Sequence, residues 1–356
     1  MKALLLTGVY WDETFQRHHQ FAKYLCKAGY EVYFVEHIVS SKFTFRSALC
    51  KIRTKTGVSS GKNERFEKLK VYNFGFLNPS EGVFKIINKR KVARLIRETG
   101  TEFDVIINYL PINTTRFILE KVHGKVIYDC VRDFENWGGY YKSVTKEELL
   151  LLSRADKVFT DSFYLTEKMK RMTIKQVVQF LPVATDGWIK GVTPYKSLTE
   201  IKKIGYFGAI GAHIDEKIFS RLKSEGYEIH LWGQIPDDLA EKYVSHGYTG
   251  DMERLSREIT MTCDAIVIPY KNNMNGVIPA KTTQSLLTEK PVFISEFYDS
   301  LKLGGLFYVF KDENDLINQI KNYNESDYLK KLEAIKQSCG ELNEQNQYKK
   351  FISSLG

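Results

Sequence analysis

Short runs rich in β-branched and aromatic residues recur along the chain, separated by stretches whose apolar positions return every three or four residues. That alternation is the signature of parallel βα units. In the first half it predicts strands at Ala3–Tyr10, Glu31–Ile38, Val71–Leu77, Asp104–Leu110, Lys125–Cys130, Lys157–Thr160 and Val177–Val183. Between the first two, Phe15, His18, Ala22 and Leu25 mark one face of a helix that Gly29 closes. The rhythm breaks after Val183 in ATDGWIKGVTPYKSLTE, whose glycines and proline suggest a linker. A second series follows at Ile204–Phe207, Glu228–Trp232, Ala265–Pro269, Val292–Ile294 and Phe307–Phe310. The pattern therefore predicts an α/β protein with a Rossmann-like domain over 1–185, a linker over 186–200, a second such domain over 201–327 and a helical segment over 328–356.

Composition narrows this reading. At 356 residues and 43% hydrophobic, the chain is long enough for two cores. Five cysteines are scattered without a CxxC pair, which fits a reducing, cytoplasmic setting. The opening MKALLLTGVYWDE reads as a first strand and not a leader, and no run of about 18 apolar residues predicts a spanning helix. The net charge of +9 is concentrated in Lys42–Lys55 and Lys85–Arg97, neither of which contains an acidic residue. Either these are solvated faces, or they meet an anionic membrane surface as a peripheral protein would. No nucleic-acid-binding module accompanies them.

Chemistry concentrates in the second half. The segment IGYFGAIGAHIDEKIF runs from a strand into Gly208 and Gly211, where the backbone can approach a ligand closely. Its spacing is not GxGxxG, and the next strand ends in Gly233-Gln234 without the acidic residue that a dinucleotide site needs. Hydride transfer is thereby disfavoured. In NGVIPAKTTQSLLTEKPVFIS, Pro279 suits a first helical position, and Lys281, Thr282 and Thr283 crowd the first turn before Pro291 stops the helix. That is either an ordinary helix start or an anion cradle. Strand ends of a doubly wound sheet form one rim, here Gly208–Ala212, Gly233-Gln234, Tyr248-Thr249-Gly250, Pro269-Tyr270 and Lys281–Thr283.

The order GYFGAI, LWG, YTGD, CDAIVIPY, PxKxxQ and KPVFIS is similar to the donor half of bacterial GT-B glycosyltransferases, especially family 4 enzymes of surface-polysaccharide and teichuronic acid type. GVYWDETFQRHHQFAKYLCKAGYEVYFVE and VFTDSFYLTEKM resemble the other half, so the likeness spans nearly the whole chain. It implies two Rossmann-like domains facing a central cleft, a final helix that crosses back, and a nucleoside diphosphate sugar, UDP- or GDP-linked, as donor. The donor site it implies takes in Gly208, Ala209, Ile210, His213, Gly233, Tyr248, Thr249, Pro269, Tyr270, Asn275, Gly276, Val277, Lys281, Thr282, Thr283 and Gln284. The family's E-x7-E pair is absent: Gly276 and Gln284 occupy its positions. The basic residue common in the first glycine loop is also missing, which leaves Lys281 to balance diphosphate charge.

No aspartate stands two residues from another, so the metal-binding DxD of GT-A enzymes is absent, and neither metal nor cofactor is expected. For the acceptor, the loop YDCVRDFENWGGYY offers Asp133 and then Asp129 as bases, with Arg132, Glu135 and aromatics suited to stacking on a sugar. Asp129 could instead cap its strand. Tyr10, Trp11, His19 and Tyr109 end strands or begin helices on the same side, whereas His18 falls on an apolar stripe. The expected activity is transfer of a hexosyl unit from the nucleoside diphosphate sugar to a lipid-linked surface glycan acceptor; a nucleotide-sugar epimerase or a non-catalytic binding scaffold are the alternatives.

Overall fold

The computed structural model describes residues 1–40, 64–78 and 80–356, and the basic stretch Lys42–Lys55 lies outside the described residues. The chain divides into two compact units, Met1–Phe180 with Lys350–Gly356, and Leu181–Lys349.

Unit 1 is built on a seven-stranded parallel sheet of order β3-β2-β1-β4-β5-β6-β7. Its strands are β1 Lys2–Leu6, β2 Glu31–Val35, β3 Leu69–Tyr72, β4 Glu102–Asn108, β5 His123–Cys130, β6 Lys157–Thr160 and β7 Gln176–Gln179. Parallel strands with helices on both faces must be apolar on both sides, and Ala3, Leu4, Leu5 and Leu6 of β1 are all fully buried. The first helix, Arg17–Lys27, ends before Gly29, whose φ of +91° turns the chain into β2. Phe15 lies ahead of that helix and is exposed. The C-terminal residues close this core: the Phe351 ring lies 4.4 Å from that of Phe21, beside Phe159 and Phe180.

The second basic stretch forms the helix Gly82–Thr99. Val92 and Leu95 are buried, but Val83, Phe84 and Ile86 at its start are exposed beside Lys85, Lys89 and Arg90.

Unit 2 holds a six-stranded parallel sheet of order β10-β9-β8-β11-β12-β13. Its strands are β8 Lys203–Phe207, β9 Glu228–Trp232, β10 Val244–Ser245, β11 Ala265–Ile268, β12 Val292–Ser295 and β13 Tyr308–Phe310. Strand β10, with two residues, is too short to leave a period in the sequence. Ile214, Ile218 and Leu222 are buried against the sheet, as the pattern of that segment predicts. Residues 186–191 of the expected linker form a helix, and its Trp188 is fully buried in the core of unit 2. The helices Glu325–Leu342 and Glu344–Leu355 complete the chain. No helix among the described residues is long and apolar enough to cross a membrane.

Candidate functional site

In unit 2 the strand order reverses between β8 and β11, and the loops leaving these strands define the rim where α/β sheets bind ligands. After β8 the chain turns through Gly208, at φ +113°. The Gly208 amide donates to the Trp232 carbonyl at 2.8 Å, and Ile210 N donates to Gln234 O at 3.2 Å. After β9, Gly233 adopts φ +126°, and a Cβ there would sit 2.5 Å from the Gly208 carbonyl oxygen. The two glycine turns are therefore in direct backbone contact. The far end of the first loop is fixed by Asp215 N to Pro269 O at 2.8 Å and Lys271 N to His213 O at 2.9 Å. Gly208, Ala209, Ile210, His213, Gly233, Pro269 and Tyr270 thus share one bonded framework.

Lys281 points into that framework. Its Nζ donates to the Tyr206 hydroxyl at 2.5 Å, and Tyr206 in turn donates to the Ala209 carbonyl at 2.9 Å. The ammonium lies 4.3 Å from the Tyr206 ring centroid and 5.7 Å from that of Tyr270, within the range of cation–π attraction. It also lies 2.8 Å from where a Cβ on Gly208 would be, so any side chain at 208 would displace it. Burial alone pushes its pKa down to about 7, with no carboxylate contributing. A half-buried cation held by two phenol rings, with no counter-ion among the described residues, can take up an anion. His213 is also pushed down, by burial and then by Lys281.

The rest of the helix start differs from expectation. Pro279 is the N-cap, Ala280 is the first helical residue, and the helix stops at Leu286, well before Pro291. Glu289, at φ +54°, makes the intervening turn. Thr282 and Thr283 are 1% and 4% exposed, so their hydroxyls are packed inward and the cradle rests on Lys281 instead. Gln284 is half-buried, and its backbone carbonyl accepts from Trp188 Nε1 at 2.9 Å. Gly276 has φ +79°, a conformation that disfavours any carboxylate-bearing residue there. Asn275 donates its amide to Asn273 Oδ1 at 2.9 Å, and Val277 N donates to Met274 O. Tyr248 is exposed, and Thr249 Oγ1 accepts from Asp251 N at 3.1 Å, just before the helix Met252–Thr262. Tyr206 was not foreseen. Its signal was an aromatic hydroxyl two residues before the first glycine of the loop.

In unit 1 the expected bases are tied into the fold. Both Asp129 oxygens accept from Arg17, at 2.8 to 3.1 Å, and Arg17 also donates to the Phe180 and Thr160 carbonyls. Asp129 is fully buried, so it anchors the first helix to β5 and has no accessible oxygen for a proton. Asp133 is 2% exposed and accepts from Lys168 at 2.5 Å, Asn136 at 2.8 Å and Tyr164 at 3.0 Å. Burial raises its pKa, but these donors, Lys168 first, hold it below the ordinary carboxylate range. Arg17 and Lys168 carried no sequence signal, since each lies in a helix whose charged residues look like a solvated face.

The aromatic and histidine candidates divide. His19 is buried with both ring nitrogens engaged, Nδ1 accepting from Gln16 N and Nε2 donating to Tyr10 O, each at 3.0 Å. It supports the β1 loop and does not face a ligand. Trp11 is fully buried, 5.1 Å from the Phe34 ring, and is likewise packing. Tyr109 is buried 4.1 Å from His18, whose pKa burial pushes down to about 3. Tyr10 stacks on His37 at 4.1 Å. Arg132 and Glu135 remain partly open: Arg132 donates to the Tyr140 hydroxyl at 2.9 Å, and Glu135 pairs with Lys168 at 3.2 Å.

No family model matches the sequence, and no curated protein matches it either. Solved structures do. A sucrose-phosphate synthase from Thermosynechococcus elongatus superposes with a TM-score of 0.68 at 10% identity, covering 99% of this chain and 97% of its own. Anabaena HepE, solved with UDP and glucose, gives 0.68 at 10% identity over 100% and 99%. The apo form of the lipopolysaccharide outer core galactosyltransferase WaaB gives 0.65 at 10% identity over 100% and 99%. The chain has the GT-B glycosyltransferase fold.

Proposed function

We propose that this chain is a glycosyltransferase that moves a hexosyl unit from a UDP- or GDP-linked sugar to a lipid-linked cell-surface glycan, without a metal, at the cytoplasmic face of a membrane. The observation that carries the reading is Lys281, an unpaired cation beside two glycine turns at the switch point of unit 2. Structural neighbours solved with UDP and with UDP-glucose support a nucleotide sugar as the donor. The exposed apolar start of the basic helix Gly82–Thr99 supports contact with an anionic lipid surface.

In this reaction the bond from the anomeric carbon to the diphosphate oxygen breaks, a bond from the acceptor oxygen forms, and the acceptor hydroxyl's proton passes to the departing diphosphate. Negative charge develops on the departing diphosphate. Lys281 is placed to stabilise it from a half-buried site, where a charge-assisted hydrogen bond is worth about 1.5–3 kcal/mol. Glycine at 208 leaves the space that the lysine side chain occupies, and the Tyr206 hydroxyl aims the ammonium.

The test is a thermal-shift and calorimetric screen with UDP, GDP, UDP-glucose and GDP-mannose, followed by hydrolysis of the preferred sugar nucleotide. A stabilising nucleotide whose affinity drops about 10- to 100-fold in Lys281→Ala is expected, from the energy of the lost bond. No stabilisation by any of the four, or unchanged affinity in the variant, overturns the assignment.

A further inference from the structure

The loop leaving β5 holds a cavity of about 430 Å³, lined by residues between Phe134 and Thr145, within the range of about 300–1,000 Å³ typical of small-molecule sites. Its lining residues include the aromatics Trp137, Tyr140 and Tyr141 and the polar Glu135 and Asn136. We propose that this cavity is a saccharide subsite in which a pyranose ring stacks on Trp137 and its hydroxyls bond to Glu135 and Asn136. As the acceptor pocket of the reaction above it rests on that reading, although binding of a sugar there does not.

The aromatic wall is held in place from behind. The Arg132 guanidinium lies 4.8 Å from the Trp137 ring and donates to the Tyr140 hydroxyl, tying two of the rings together. Tyr140 also packs edge-on against buried Phe134 at 5.0 Å, and Trp137 N donates to Asp133 O at 2.8 Å. Asp133 is thus a positioning residue: its carboxylate gathers Lys168, Asn136 and Tyr164 beneath the loop. A flat, half-exposed indole beside an amide and a carboxylate matches a sugar, which presents C–H groups on its face and hydroxyls on its edge. Glu135 is half exposed, with one oxygen paired to Lys168.

Gly138 offers a site for blocking the cavity. It is not in the left-handed region, and a Cβ there would meet nothing within 4 Å. Its neighbour Gly139 does need glycine, at φ +95°. A side chain can therefore be added at 138, a residue of the cavity lining, without a clash inside the fold.

The four tryptophans make the test selective. Trp11, Trp188 and Trp232 are 0%, 0% and 1% exposed, so Trp137 carries the emission that acrylamide can quench. The full chain, free of nucleotide, is titrated with methyl β-glucoside, methyl β-galactoside, cellobiose and diacetylchitobiose to about 100 mM, enough to saturate a millimolar site. At least one sugar is expected to reduce acrylamide quenching about two-fold with saturation. Gly138→Val is expected to abolish that protection while keeping the parent's urea midpoint, and Glu135→Gln to weaken binding several-fold. Protection by none of the four, equal protection by uridine, or protection that persists in Gly138→Val overturns the proposal. If Gly138→Val does not fold, undiminished binding in Glu135→Gln does so. Nucleotide binding by Lys281, measured separately, can stand or fall without it.

Discussion

Lys281 and Asp129 show how one environment or another decides what a buried charge does. Burial holds the Lys281 pKa at about 7 in the folded protein, far below that of the unfolded chain, and no carboxylate among the described residues raises it again. Between about pH 7 and the unfolded value near 10.4 the unfolded chain holds more protons, so this lysine makes stability rise with pH. Ligand binding has the opposite sign. A diphosphate favours the charged ammonium and must bring a proton with it, so nucleotide affinity should fall towards ten-fold per pH unit above 7. Calorimetry in buffers of different ionisation enthalpy would show the proton uptake. Lys281→Arg, charged throughout, should flatten the profile; His213, Tyr206 and Tyr270 are the other titratable groups at this site, and a profile unchanged by the substitution would show that Lys281 is not the group that titrates. Asp129 is the reverse case. Its carboxylate matches the Arg17 fork, and Asp129→Asn should cost about 3–5 kcal/mol by leaving the guanidinium buried and unpaired, read from urea unfolding. Such pairings were beyond reach in the sequence, because a long-range partner 112 positions away leaves no local pattern.

At the level of elements, the period of the apolar residues was sufficient where a strand or helix is buried. Every predicted strand corresponds to an observed one, and the misses are instructive: β10 is too short, and the Lys281 helix ends at Leu286 and gives way to a turn with Glu289 at positive φ, which no apolar spacing reveals. Site geometry was less legible than topology. The glycines at 208 and 233 announced a close approach, but only the structure shows that each is close to the other. Gly233→Ala should therefore lose at least about 2 kcal/mol, because it adds a strained φ to a clash with a carbonyl that cannot move without shifting Gly208. Loss of nucleotide affinity in the same variant would follow from that shift. The helix Gly82–Thr99 carries a second prediction. Val83, Phe84 and Ile86 are 70%, 44% and 57% exposed, and replacing all three by serine should cut sedimentation with phosphatidylglycerol vesicles by ten-fold or so. Equal sedimentation would leave the cations as a solvated face.

Over the whole molecule, the two units have separate sheets and separate cores, yet the chain's last seven residues belong to the first. Phe351 is fully buried among Phe21, Phe159 and Phe180, so unit 1 is complete only when the C-terminus has arrived. Lys125 and Lys157 reinforce the closure by donating to backbone carbonyls of residues 354–356. The sequence signalled a terminal helix but not which apolar side chain would seal the core, since an amphipathic segment has no marker for its docking partner. Phe351→Ala should remove about 3–5 kcal/mol, the range for emptying a large buried aromatic site. Because each core is contained within its own unit, the loss should fall on unit 1. Native-state hydrogen exchange should then show faster exchange in β1, β4 and β5 while β8, β9 and β11 keep their protection. Equal acceleration in both sheets would mean that the units unfold as one, and that the C-terminal helix couples their stabilities instead of serving the first alone.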